Sequence, residues 1–373
     1  MNSLDLNILQ DMSNIHHSVE SDVRNYLDTF FNIESNEKLL LSDIKKYINL
    51  KIKTYTKEYL EKNDTTFKYN ENTYNIWNGR HQRYGLAFPI CLSLNNIIAH
   101  YTPSNDNKNV FFTKNDILKI DYGLHYNGNM CDSAFSITYN NELQELVNIS
   151  KEATNIAIKE CGIDANVFDI GATIQEYIES NELTLNNKTT PLKSFSDMCG
   201  HKINLYKIHD NVPFPNIKLN NNSNKSNNSY RMRENDYFAI EPYPTTGNGI
   251  SLNHNLDLIN NSAIKDDYKQ YYIYSFNYND TTYYNLKKHL GPKNYKSLSK
   301  SILKSFDKIQ KQFYYLPFEY DDLNDDTQNC FNNLLELTPK VFNKYDAVFD
   351  IPNSYSAQTE KNIYINNEKT IVL

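Results

Sequence analysis

Two short apolar runs carrying paired acids constrain this chain most. Ile117–Tyr122 and Ala134–Tyr139 are rich in β-branched and aromatic residues, as sheet strands are. Asp121 and Asp132 sit at their edges, and Gly123 and Gly128 lie between them, able to turn the chain back. A hairpin of this length brings both carboxylates to one edge of a sheet. Taken alone the pair is ambiguous, because aspartates flanking strands commonly form turns or solvated ends.

Around that hairpin the texture alternates. Apolar residues recur at helical spacing in His17–Phe31 (Val19, Val23, Tyr26, Phe30) and in Ser42–Glu61 (Ile44, Ile48, Ile52, Tyr55, Tyr59), so two amphipathic helices open the chain. Leu86–Ile90 and Ile97–His100 read as strands. Helical periodicity returns over Leu146–Cys161 and Asp169–Glu179, the latter with Asp169 as its expected capping residue. A strand is expected at Asp236–Tyr243, mostly helix over Tyr268–Tyr345, and a closing hairpin from Asn362–Ile365 and Lys369–Leu373. Asn216–Ser229, nearly all Asn, Ser and Lys, reads as a mobile surface loop. The class is α+β.

Hydrophobic residues make up 39% of the chain and charged residues 22%, enough apolar material for a core. A net charge of −7 offers no general attraction to phosphate backbones, so direct nucleic-acid binding is not expected. No run approaches the roughly 18 apolar residues needed to cross a bilayer, and Met1–Gln10 lacks the basic-then-apolar order of a signal peptide; a cytoplasmic home is expected. The five cysteines are scattered without CxxC pairing and are read as reduced thiols.

Three further segments bear on the aspartate pair. Gly200-His201 follows a strand-like stretch, Ala239-Ile240-Glu241-Pro242 sets a carboxylate inside an apolar strand, and Ala357-Gln358-Thr359-Glu360 precedes the final hairpin. An acid in an apolar strand is costly to desolvate unless a cation compensates it. Two Asp, two Glu and one His form an oxygen-rich set suited to a pair of divalent ions.

The ordered set resembles the methionine aminopeptidases, whose ligands run Asp, Asp, His, Glu, Glu. Phe88-Pro89, Ser93-Leu94-Asn95-Asn96, Ala99-His100-Tyr101-Thr102-Pro103, Tyr206-Lys207-Ile208-His209 and Thr246-Gly247-Asn248-Gly249 resemble the type 2 class in particular. The resemblance runs from about His16 to Leu373 and implies a pita-bread fold with a helical insertion subdomain. On that basis residues 1–83 form an N-terminal helical part, 84–265 and 346–373 the catalytic core, and 266–345 the insertion.

The resemblance also implies roles. Asp121, Asp132, His201, Glu241 and Glu360 would hold two divalent ions, from among cobalt, manganese, iron and zinc, with Asp132 and Glu360 bridging them. The ions would activate water to attack the first peptide bond, with Glu241 shuttling the proton. His100 and His209 would contact the scissile amide and its oxyanion, and Phe88 would line the methionine pocket. The implied activity is removal of the initiator methionine from nascent polypeptides, by a monomer with possible ribosome association. The long basic N-terminal extension of some relatives is absent from this sequence. The alternatives are an inactive pita-bread homologue that binds ribosomes, RNA or protein, and an Xaa-Pro exopeptidase of the prolidase group. Departures from the resemblance fall at Cys91, Lys202, Asn204 and Thr359. His125 is read as structural.

Overall fold

The computed structural model describes residues 4–33, 37–64, 80–81, 83–105, 108–219, 230–252, 272–276, 286–337 and 341–373. Two helix-covered antiparallel sheets meet along one seam, and a third unit leans over it.

In the first half, helices Leu6–Phe31 and Leu41–Asn63 lie on a sheet built from Tyr84–Leu86, Cys91–Leu94, Ile117–Tyr126 and Asn129–Thr138. The first helix starts eleven residues before the expected His17 (17 − 6 = 11), because Asp5 caps it by accepting from the amides of Asn7 and Ile8. Its buried stripe of Leu9, Met12, Val19, Val23, Leu27 and Phe31 continues the helical period back to that cap. The central hairpin pairs without interruption from Ile117↔Thr138 to Tyr126↔Asn129. Its turn is Asn127-Gly128, with φ of 48° and 81°, the left-handed pair that a two-residue hairpin turn of matching twist needs. Gly123 has a different use from the expected turn: it lies inside the strand, where a Cβ would sit 2.3 Å from the Phe88 ring. The expected strand Leu86–Ile90 stops at Leu86 and pairing resumes at Cys91. Pro89 lies in the gap and has no N–H to give the ladder.

In the second half, helices Asn141–Glu160 and Val167–Glu179 cover a sheet whose spatial order is Pro213–Pro215, Cys199–Lys202, Tyr237–Ile240, Lys361–Ile365, Thr370–Val372. The cap of the second helix is Asn166, accepting from the Phe168 amide, and Asp169 falls one turn inside. The expected closing hairpin is present.

The seam joins the central hairpin to the chain end. Ser133 Oγ donates to the Glu360 carbonyl at 2.7 Å, Ser136 Oγ to the Gln358 carbonyl at 2.8 Å, and the Asp132 amide to Asn362 Oδ1 at 2.7 Å. Lys119, fully buried, donates to the carbonyls of Asn95 and Ser356. These bonds fix Asp132 and Glu360 relative to one another across 228 residues of chain (360 − 132 = 228).

Residues 272–345 are not purely helical. Strand Ile273–Phe276 is flanked by Phe318–Glu319 and Phe342–Tyr345, with helices Leu286–Ser297, Lys300–Phe313 and Asp325–Leu337 packed around an aromatic core. The strands are too short for periodicity to separate them from the surrounding helices. A buried ion pair, Lys45 Nζ to Glu319 Oε2 at 2.7 Å, ties this unit to the first half. Of the Asn-rich stretch, residues 220–229 lie outside the described residues. Among the described residues no helix is long and apolar enough to cross a membrane.

Candidate metal centre

Four acids and one imidazole converge from separate segments of the chain. Asp121 sits mid-strand in the central hairpin and Asp132 on its partner strand. His201 comes from the second sheet, Glu241 from just past strand Tyr237–Ile240, and Glu360 from just before Lys361–Ile365. His201 Nε2 lies 3.4 Å from Asp132 Oδ2 and 3.5 Å from Glu241 Oε1. One ligand atom each from Asp132, His201 and Glu360 falls within 4.8 Å of the others.

Gln358 and Tyr243, which sequence reasoning did not assign, organise the acids from behind. The Tyr243 hydroxyl donates to Glu241 Oε2, and Gln358 Nε2 donates to Tyr243 at 2.8 Å. The same amide nitrogen reaches Glu360 Oε2 at 3.3 Å and Asp121 Oδ2 at 3.5 Å. The sequence signal was there: Gln358 and Glu360, two positions apart in an extended segment, share a face.

Four carboxylates held this close and this dry cannot all ionise without compensation. Burial pushes Asp132 up to about 7. Burial, then the charge of Asp132, raises Asp121, Glu241 and Glu360 well above the usual carboxylate range. Asp121 Oδ1 and Glu360 Oε1 are buried and accept no hydrogen bond. Orphaned carboxylate oxygens aimed into an acid cluster are what a site for divalent cations requires, so the donor set fits such ions. Burial holds His201 at about 4, leaving its imidazole neutral and able to ligate at neutral pH.

Above the acids opens a cavity of about 330 Å³. Phe88, Cys91, Ile208, Ile273 and Tyr345 line it beside the four acids and His201, as do His100 and His209. The His209 ring meets His201 edge-on at 4.3 Å, and Tyr345 lies about equally far from His100 and His209, at 6.0 and 5.9 Å. His100 has φ of 66°, a left-handed conformation rare for a side-chain-bearing residue and found disproportionately at working sites. Burial lowers His100 to about 4. His209 keeps an exposed face toward the cavities it lines, yet burial of the ring, with His201 and His100 nearby, holds it well below the usual imidazole value.

Of the four departures only Cys91 lines the cavity. Lys202 turns away to pair with Asp236 at 2.6 Å, Asn204 forms a tight turn with Lys207, and the Thr359 carbonyl accepts from Thr154. His125 is fully buried beside Tyr206, away from the acids.

An antiparallel two-half fold enclosing an acid-rich, imidazole-bearing cavity defines a candidate metallohydrolase. Residues 51–260 match the metallopeptidase family M24, and the chain belongs to that family. It is 34% identical to methionine aminopeptidase 2-1 of Aspergillus niger over 76% of its own length and 56% of the relative's. It is 33% identical to methionine aminopeptidase 2 of Kluyveromyces lactis over 78% and 62%. The chain thus spans little more than half the length of the curated relatives it matches. Among solved structures, a methionine aminopeptidase from Thermotoga maritima aligns with all of this chain and 98% of its own at TM-score 0.53 and 14% identity. A thermophilic Arx1 aligns over 99% and 91% at TM-score 0.64 and 13% identity. The fold is the pita-bread fold.

Proposed function

We propose that this protein is a methionyl aminopeptidase that removes the N-terminal methionine of newly made polypeptides with two divalent ions held by Asp121, Asp132, His201, Glu241 and Glu360. The observation carrying this reading is the convergence of four carboxylates and one imidazole, two of their oxygens orphaned, beneath a cavity flanked by His100 and His209. The names of the curated relatives support it. His201 neighbours Asp132 and Glu241, while the Gln358 amide reaches both Glu360 and Asp121. Bound there, the ions would supply Lewis-acid charge that acidifies water and polarises a carbonyl. The oxygen-rich set suits cobalt, manganese, iron or zinc.

The remaining work falls to the chain's own side chains. Tyr243 holds Glu241 by Oε2, leaving Oε1 to take a proton from the attacking water and return it to the departing amine. His100 and His209, neutral at working pH, donate hydrogen bonds to the scissile amide and to the tetrahedral oxygen. Phe88 offers an aromatic wall to a thioether side chain.

Methionine release from Met-Ala-Ser with added Mn²⁺ or Co²⁺ tests the reading, with an Xaa-Pro dipeptide as control. Release of methionine and a silent Xaa-Pro dipeptide are expected. No release with any divalent ion would sink the proposal in favour of a binding module. His209→Ala is expected to bind metal normally while losing turnover by about 10²-fold or more; unaltered turnover would remove its role.

A further inference from the structure

The 272–345 unit grips the segment that follows His100 through one buried ion pair. Lys45 Nζ, on helix Leu41–Asn63, donates to Glu319 Oε2 and to the Pro103 carbonyl, both at 2.7 Å. Thr102 Oγ1 donates to the same Glu319 oxygen at 3.0 Å, and the Asn105 amide donates to Asp321 Oδ2 at 2.8 Å. Lys45, Thr102 and Glu319 are all buried. Glu319 is itself fixed, since its amide donates to Asp322 Oδ2 at 2.9 Å and its strand pairs with Ile273–Phe276. Across that small sheet Glu319, Ile273 and Tyr345 stand in one row, so their side chains share a face. Ile273 and Tyr345 line the cavity that His100 also lines.

We propose that Lys45 and Glu319 are positioning residues for His100, fixing where its imidazole stands in the cavity by holding Thr102 and Pro103; this rests on the aminopeptidase reading above. His100 leaves strand Ile97–Ala99 with φ of 66°, a conformation that persists only where its surroundings over-determine it. On one side the chain is fixed by the pairing of Ala99 with Val348. On the other, the Tyr101 carbonyl accepts from the Leu92 amide at 2.7 Å, and the next two residues are held by the ion pair. Stability does not explain the pair. Charges taken out of water regain little from one another, and apolar side chains of similar volume commonly serve as well or better. What the charges add is direction: the ammonium fixes the Pro103 carbonyl and the carboxylate fixes the Thr102 hydroxyl. Because Glu319 belongs to the 272–345 unit, the unit that supplies Ile273 and Tyr345 to the cavity wall also sets the place of His100.

The test is Lys45→Met/Glu319→Met, which removes both charges and keeps their bulk, assayed with Met-Ala-Ser in the wild-type and His100→Ala backgrounds. In the wild-type background kcat is expected to fall by about tenfold, the order of effect of a small misplacement of a group acting in the transition state, with KM and Mn²⁺ affinity unchanged. In the His100→Ala background the same two substitutions are expected to cause no further loss, because residues that act through one another are not additive. A defect of the scaffold would slow both backgrounds alike. An unaltered kcat in the wild-type background, an equal loss in both, or a variant too unstable to assay overturns the assignment. Carbethoxylation of His100 by diethyl pyrocarbonate, mapped by peptide mass spectrometry with His209 of the same cavity as reference, reads the grip without turnover. The ratio of the two rates is expected to shift several-fold in the metal-free variant. If the wild type releases no methionine, the aminopeptidase reading falls, while a shifted ratio still upholds the grip on His100 and an unchanged ratio refutes it.

Discussion

The acid cluster and the aromatic core of the 272–345 unit are equally dry and built on opposite terms. Asp132, Glu241 and Glu360 are at most 5% exposed, as are Phe306, Phe313, Phe318 and Phe331. In the aromatic unit, Phe313 stacks on Phe318 at 4.6 Å and Phe331 meets Phe318 at 5.5 Å, each ring gaining from burial and from its neighbours. In the cluster, burial opposes folding, because charge is taken from water without a countercharge from the protein. A fold keeps such a cluster only where something other than its own stability holds the residues in place. Substitutions should therefore separate: in the cluster, activity and metal-free stability move in opposite directions, and in the aromatic core stability moves alone.

Glu241→Gln should break activity hardest. It keeps shape and removes the proton shuttle, so methionine release is expected to fall by about 10²–10⁴-fold, while the Tm of the chelated protein rises because an amide is cheaper to bury than a carboxylate. A drop in Tm alongside the loss of activity would mean that the acid is a structural keystone, and the contrast between the two regions would fail. Phe318→Ala probes the other side. Removing a fully buried ring from the stack is expected to cost about 3–5 kcal/mol in urea denaturation, with metal affinity in the folded protein retained. Loss of metal affinity at low denaturant would show that the two regions are energetically one.

The legibility of the chain follows the same division. The central hairpin was readable because two short runs rich in β-branched and aromatic residues flank a stretch carrying glycines, although the paired strands are longer than those runs and the turn is Asn127-Gly128, while the missing side chain of Gly123 makes room for Phe88. The paired acids of that hairpin were ambiguous when read as flanking strands, and it was Glu241, read inside an apolar strand, whose burial called for a compensating cation. What periodicity could not show was tertiary: the three-stranded sheet in 272–345 uses strands of two to four residues, and the Tyr243–Gln358 support exists only once residues 115 positions apart meet. The capping of Val167–Glu179 by Asn166 was missed for a local reason, since both Asn166 and Asp169 are competent caps and only the backbone at 166 is extended.

The gentlest probe of the comparison is pH. Asp132 titrates at about 7 in the folded, metal-free protein against an ordinary value of 3.8, and the other three acids shift the same way. Raised carboxylate values mean that the folded state holds protons the unfolded chain has released, so the cluster's contribution to metal-free stability is greatest below about pH 4 and is lost as pH rises through about 7. Cations reverse this by replacing the protons. The gain in Tm on adding Mn²⁺ to chelated protein should therefore be largest above pH 7 and shrink as pH falls toward 5, by about 1.4 kcal/mol per pH unit for each proton displaced. Depressed histidines such as His16, at about 3, destabilise the protein in acid with or without metal, and taking the difference between the two melts cancels them. His201, held at about 4, stays neutral across this window and does not compete. A metal-induced gain that is flat from pH 8 to pH 5 would show that the acids are already ionised without a cation, removing the opposition between the cluster and the aromatic core.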